Sequence, residues 1–293
     1  MLDIKPEINV KVGGKLSREV YSDLFKPTTQ NVGKTFGGLT KIAYVVFGKS
    51  SEIVADKLDN FLESFAAKAE QRIQEIPEDQ RVEPTIPSRL RITSNLPKVI
   101  GEPLLEDIFL NVLLSSMDKR AARDYFSYFP ETVASLSSDE AKILKFLASH
   151  QENSVFAKVS IYSCLPNGTE ILAYRNVSML GEDAGCDFPV NAPAYLDNLS
   201  RLGLIDMLDE LIVGADAEYK RIMQKIVPAH LPEDNPGPEG YDPKHFDQLK
   251  GLVRLSSLGV SFCRACKIYD PSSVSSAADC AVAHKPLILR NQI

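Results

Sequence analysis

Residues 102–147, EPLLEDIFLNVLLSSMDKRAARDYFSYFPETVASLSSDEAKILKFL, constrain this chain more than any other stretch, because high apolar density and clear helix punctuation coincide there. Pro103 suits a first helical turn, where its missing N–H costs nothing, and Glu102, Glu106 and Asp107 put negative charge at the positive end of the helix dipole. Leu104, Leu105, Ile108, Phe109, Val112, Leu113 and Met117 recur at helical spacing, which predicts a helix with a buried face. Ser137 followed by Glu140 is a capping-box pattern ahead of Ile143, Leu144 and Leu147, and predicts a second helix.

The chain of 293 residues is long enough for a full core and for two domains, expected at 1–100 (amphipathic helices and a Pro-rich connector) and 101–293. Its longest apolar run, Phe36 to Phe47, contains Lys41 and falls well short of the roughly 20 residues a membrane-spanning helix needs. The first residues lack the apolar core and cleavage site of a signal peptide, so a cytoplasmic protein is expected. The net charge of −6 is unevenly spread: residues 1–50 hold eight Lys/Arg against four Asp/Glu, and residues 151–293 hold thirteen against eighteen. The basic end suits an anionic partner and the acidic end does not seek phosphate.

That basic end has a pattern. Lys26, Lys34, Lys41 and Lys49 are spaced eight, seven and eight apart with no acid after Asp23. On a helix they fall within an arc of roughly 140°. Val32, Phe36, Leu39, Ala43, Val46 and Phe47 lie opposite, so these lysines form the expected membrane or partner surface, at the inner face of the membrane if lipid is what they meet. The plainer reading is a helix packed on the rest of the protein with its lysines in solvent. Gly33-Lys34-Thr35 is not a phosphate-binding loop, because Thr28 stands where that motif needs a glycine.

Val54, Leu58, Phe61, Leu62, Phe65, Ala69, Ile73 and Ile76 trace one stripe of a long helix that Pro77 stops. Five prolines between Pro77 and Pro103 predict an extended or turn-rich connection, a hinge or a strap in which Ile86, Leu90, Ile92, Leu96 and Val99 need cover. From Val155 the apolar period becomes that of strands, and Asn167-Gly168 between two such runs signals a hairpin. Residues 192–202 predict a short helix burying Tyr195, Leu196, Leu199 and Leu202 and ending at Gly203. A helical stretch near Glu218 to Val227, a short strand through Leu252, Val253 and Leu255, and a last helix near Ser257 follow.

The expected fold is therefore mainly α with a smaller β component (α+β): an N-terminal helical region, then a winged-helix-like C-terminal domain over 139–267 with a wing insertion at about 209–250. Such domains often read DNA through a helix placed like 192–202, yet Arg201 is that helix's one cation, against Asp197. With so little charge for phosphate contacts, nucleic acid is disfavoured as a partner, and a DNA-binding regulator using Arg201 stands only as the alternative.

No catalytic signature is present: neither Gly-x-Ser-x-Gly nor His-Glu-x-x-His occurs. Cys263-x-x-Cys266 lacks the second pair or nearby histidines of a zinc site, so both are read as core thiols, and the odd count of five cysteines argues for reduced thiols. No catalytic residue, metal ligand or cofactor is assigned, and the chain is not expected to be an enzyme.

Five segments carry a family likeness: Val20-Tyr-Ser-Asp-Leu-Phe-Lys-Pro with Val32-Gly-Lys-Thr, Leu104-Leu-Glu-Asp with Leu113-Leu-Ser-Ser-Met-Asp118, Leu136-Ser-Ser-Asp-Glu-Ala-Lys-Ile-Leu144, Leu199-x-x-Leu-Gly-Leu-Ile205, and Leu255-x-x-Leu-Gly-x-x-Phe-x-x-Ala-Cys266. Together they resemble the abortive-infection alpha (Abi-alpha) proteins of bacteria over most of residues 20–267. The resemblance implies a role in resistance to bacteriophage and supplies no mechanism; action through protein contacts or at the membrane surface, with a protein partner or self-association, is the expectation set beside it. The resemblance brings no catalytic residues with it.

Overall fold

A computed structural model describes residues 52–150, 154–164, 170–230 and 246–268. The lysine-bearing segment, with Lys26, Lys34, Lys41 and Lys49, lies outside the described residues, as does the Asn167-Gly168 turn. The chain divides into one unit ending at Ala134 and another beginning at Ser135.

In the first unit, α1 (Glu52–Ile73) buries Phe65, Ala69 and Ile73, with Ile76 just beyond it, the lower half of the expected stripe. The Pro-rich stretch is not extended. It contains α2 (Ile86–Asn95), whose N-cap Thr85 accepts from the Ser88 N–H and whose Pro87 sits in the first turn. Proline is compatible with helix at that one place, since the N–H it lacks would have no intrahelical partner there. Ile92, Leu96 and Val99 are buried, whereas Ile86 and Leu90 stay exposed. Next comes α3 (Pro103–Ser115), with Pro103 in its first turn. It is buried on every side from Ile108 to Ser115, not on one face only. Arg72 ties α1 to it, with guanidinium donors on Asn111 Oδ1 at 2.8 Å and Asp107 Oδ1 at 2.6 Å. The short α4 (Phe129–Val133) closes the unit, and Phe129 is fully buried among Tyr125, Phe126 and Tyr128 at edge-on ring distances of 5.3 to 6.3 Å.

The second unit opens with α5 (Ser138–Ala148), and both capping-box hydrogen bonds between Ser137 and Glu140 are formed. Strands β1 (Phe156–Cys164) and β2 (Glu170–Ser178) pair antiparallel as expected, with a register irregularity at which Asn176 takes φ 51°. A short α6 (Leu180–Asp183) and α7 (Ala192–Arg201) follow, then β3 (Ile205–Leu208), α8 (Asp216–His230), β4 (Phe246–Leu255) and α9 (Ser257–Ala265). All pairings are antiparallel in a sheet of order β2-β1-β4-β3. The fold is α+β. Helix α7 packs on α5, and residues 252–255 pair with β3 and, in part, with β1.

One face of the sheet, with Ala157, Val159, Ile161, Val177 and Leu252, buries against Tyr219, Ile222 and Ile226 of α8. Thus α8, drawn from the segment expected as a wing insertion, is part of the core. The Tyr219 hydroxyl is satisfied there: it donates to Gly251 O and accepts from the Ile212 N–H, both at 3.1 Å. The buried Lys158 ammonium, projecting from β1, meets Asp209 Oδ1 at 2.6 Å.

Leu196 and Leu199 are in the core as expected, while Leu202 and Tyr195 are only half-buried and Leu204 is fully buried. The reason is the turn between them. Gly203 takes φ 73°, the left-handed conformation that closes a helix, and the Leu204 N–H bonds back to Leu199 O at 3.0 Å, so the chain swings Leu204 inward. Cys263 and Cys266 are core thiols; burial pushes Cys263 up to about 12 and Cys266 upward as well, so neither is a thiolate near neutral pH.

Candidate interaction site

The capping sequence Leu136-Ser-Ser-Asp-Glu does more than start α5. Glu140 uses Oε2 for the Ser137 N–H at 2.6 Å and Oε1 for Asn198 Nδ2 of α7, also at 2.6 Å. Asp139, in the same first turn, is 5% exposed and turns its carboxylate toward the loop between α6 and α7. Oδ1 accepts from the Asp187 N–H at 2.8 Å and from Lys142 Nζ at 3.1 Å; Oδ2 accepts from the Phe188 N–H at 2.9 Å and the Tyr195 hydroxyl at 3.0 Å. Lys142 also reaches Asp187 Oδ1 at 2.8 Å.

Burial by itself raises the Asp139 carboxyl, but the two backbone N–H groups, then Lys142 and Tyr195, outweigh it and bring it to about 2. A carboxylate lowered on folding stabilises the fold above its unfolded value, near 4, and that contribution fades as pH falls through the folded value. Denaturant melts taken in steps from neutral pH down to about 2 should therefore show a stability loss between about 4 and 2 that is much smaller in Asp139→Asn.

Four donors on one carboxylate fix the backbone at 187–188, and a 3-10 turn at Pro189–Asn191 continues from it. The side chains carried by this anchored loop point the other way. Phe188 is 64% and Val190 72% exposed, the most exposed large apolar side chains among the described residues. Isolated exposed apolar residues are ordinary, but here a buried ionic anchor holds the backbone that displays two of them, two positions apart, with proline between. Cys186, next to the turn, donates to Asp139 O at 3.5 Å, and burial and the Asp139 charge push its thiol up to about 11, which removes it as a nucleophile. The arrangement presents two apolar side chains on a fixed backbone.

Arg201 stands at the end of α7 with Nε and a terminal nitrogen on its own helix's Asn198 Oδ1 at 3.1 and 2.6 Å, so it does not join the 187–191 turn. Among the described residues no three His, Cys, Asp or Glu side chains are grouped to hold a metal ion, and no helix is long and apolar enough to cross a membrane. Sequence reasoning did not single out Asp139, Phe188 or Val190. The signal was there in part: an apolar-Pro-apolar step in an otherwise polar loop.

A family model described as abortive infection alpha matches residues 57–266. No curated protein matches the chain. Among solved structures it is similar to an uncharacterized protein from the hydrocarbon-degrading marine bacterium Alcanivorax borkumensis SK2, at 20% identity over 51% of this chain and 96% of that one; the TM-score of 0.32 is too low to inform the fold.

Proposed function

The chain belongs to the abortive infection alpha family, and from that premise we propose that it acts in bacteriophage defence through contact with a protein partner, without catalysis of its own. The observation that carries the contact reading is the display of Phe188 and Val190 on a backbone anchored by Asp139. A rigid turn loses little entropy when a partner covers it, and aromatic side chains such as Phe188 are enriched at protein interfaces. Two side chains make a small interface, so the association is expected to be transient.

The test is the fate of infected cells with and without this chain. Abortive infection predicts fewer plaques for at least one phage together with death or arrest of infected cells before progeny release. Equal plaque counts and equal cell survival across a broad phage panel would contradict the proposal.

A further inference from the structure

The second unit holds a cavity of about 450 Å³ apart from the 187–191 turn, within the size range of small-molecule sites. Its walls come from the end of α5, the start of β1, α6 and α8. At one end three rings meet: His150 lies 4.7 Å from Phe146 and 5.1 Å from Phe156, centroid to centroid. His150 Nδ1 is 2.8 Å from Phe146 O, and a carbonyl can only accept, so Nδ1 carries a hydrogen.

The charged lining has an imbalance. Arg221 is spent on Asp183, with one guanidinium nitrogen on each carboxylate oxygen at 3.1 and 2.7 Å. That leaves Glu218, whose Oε2 is buried with no hydrogen-bond partner. A desolvated carboxylate oxygen without a donor is unfavourable, and a bound cation with N–H groups would relieve it. Aromatic faces favour the same sign of charge. We propose that this cavity binds a small organic amine, its ammonium on Glu218 and its apolar body against Phe146 and Phe156.

Calorimetric titration of the full chain with 4-phenylbutylamine, 4-phenylbutanol and 4-phenylbutyrate separates charge from shape. The amine should bind at least about tenfold more tightly than the other two, and Glu218→Gln should remove that preference. Ala217 lines the cavity but is exposed, so Ala217→Trp fills the space from its rim at little cost to folding and should abolish binding in a chain whose melting is unchanged. Tighter binding of the carboxylate, an amine affinity indifferent to both substitutions, or no uptake of the amine at millimolar concentration would overturn the proposal.

Discussion

Gly259→Ala is expected to destabilise the second unit by about 3 kcal/mol, although alanine is the better helix former by roughly 1 kcal/mol. Gly259 lies in the first turn of α9, and a methyl group there would sit against Leu204 O, well inside van der Waals contact. The neighbour cannot give way. Leu204 O already accepts from the Ser256 N–H at 3.0 Å, and the Ser256 hydroxyl, which caps α9, donates to Gly203 O at 2.5 Å. Relieving the clash would lift the start of α9 off this backbone and loosen Phe262 and Cys263, both fully buried. Urea unfolding compares the two chains directly, and a variant as stable as the parent would show that α9 does not dock as described. The Leu-Gly steps at 202–203 and 258–259 thus have different physical grounds: Gly203 supplies a left-handed φ and Gly259 a close approach.

The second large effect is on function. Phe188→Ser with Val190→Ser should leave stability within about 0.5 kcal/mol of the parent, because both side chains are mostly in solvent and the loop is held by backbone N–H groups that the substitutions keep. The same pair should weaken partner contact at least about thirtyfold, since losing an aromatic anchor at an interface centre costs roughly 2 kcal/mol or more. Serine is chosen over aspartate because a new carboxylate beside Asp187 and Lys142 would disturb the Asp139 anchor itself.

What could be read from sequence was what local chemistry determines. The capping box at Ser137 and Glu140, the first-turn proline of α3 and the Gly203 helix stop all rest on residues within a few positions of one another, and the structure has each of them. The stretch from Pro77 to Pro103 misled for a related reason: counted together its prolines look like breakers, but Pro87 directly after Thr85 and Ile86 starts a helix. Non-local partnerships left no trace in spacing. Asp139 finds Asp187 and Phe188 almost fifty residues away, and nothing in the period of α5 separates it from a solvent-facing dipole charge. Exposure is equally hard to foresee: Leu202 and Leu204 have the same side chain, and one glycine between them decides which is buried.

Phage plating on cells carrying either the parent chain or the Phe188→Ser, Val190→Ser chain, at matched expression and with melting checked on the purified proteins, tests the contact account most directly. The account predicts that the folded variant plates phage as efficiently as cells lacking the protein. Full protection by that variant would contradict it, and would move attention from the 187–191 turn to the lysines at 26, 34, 41 and 49.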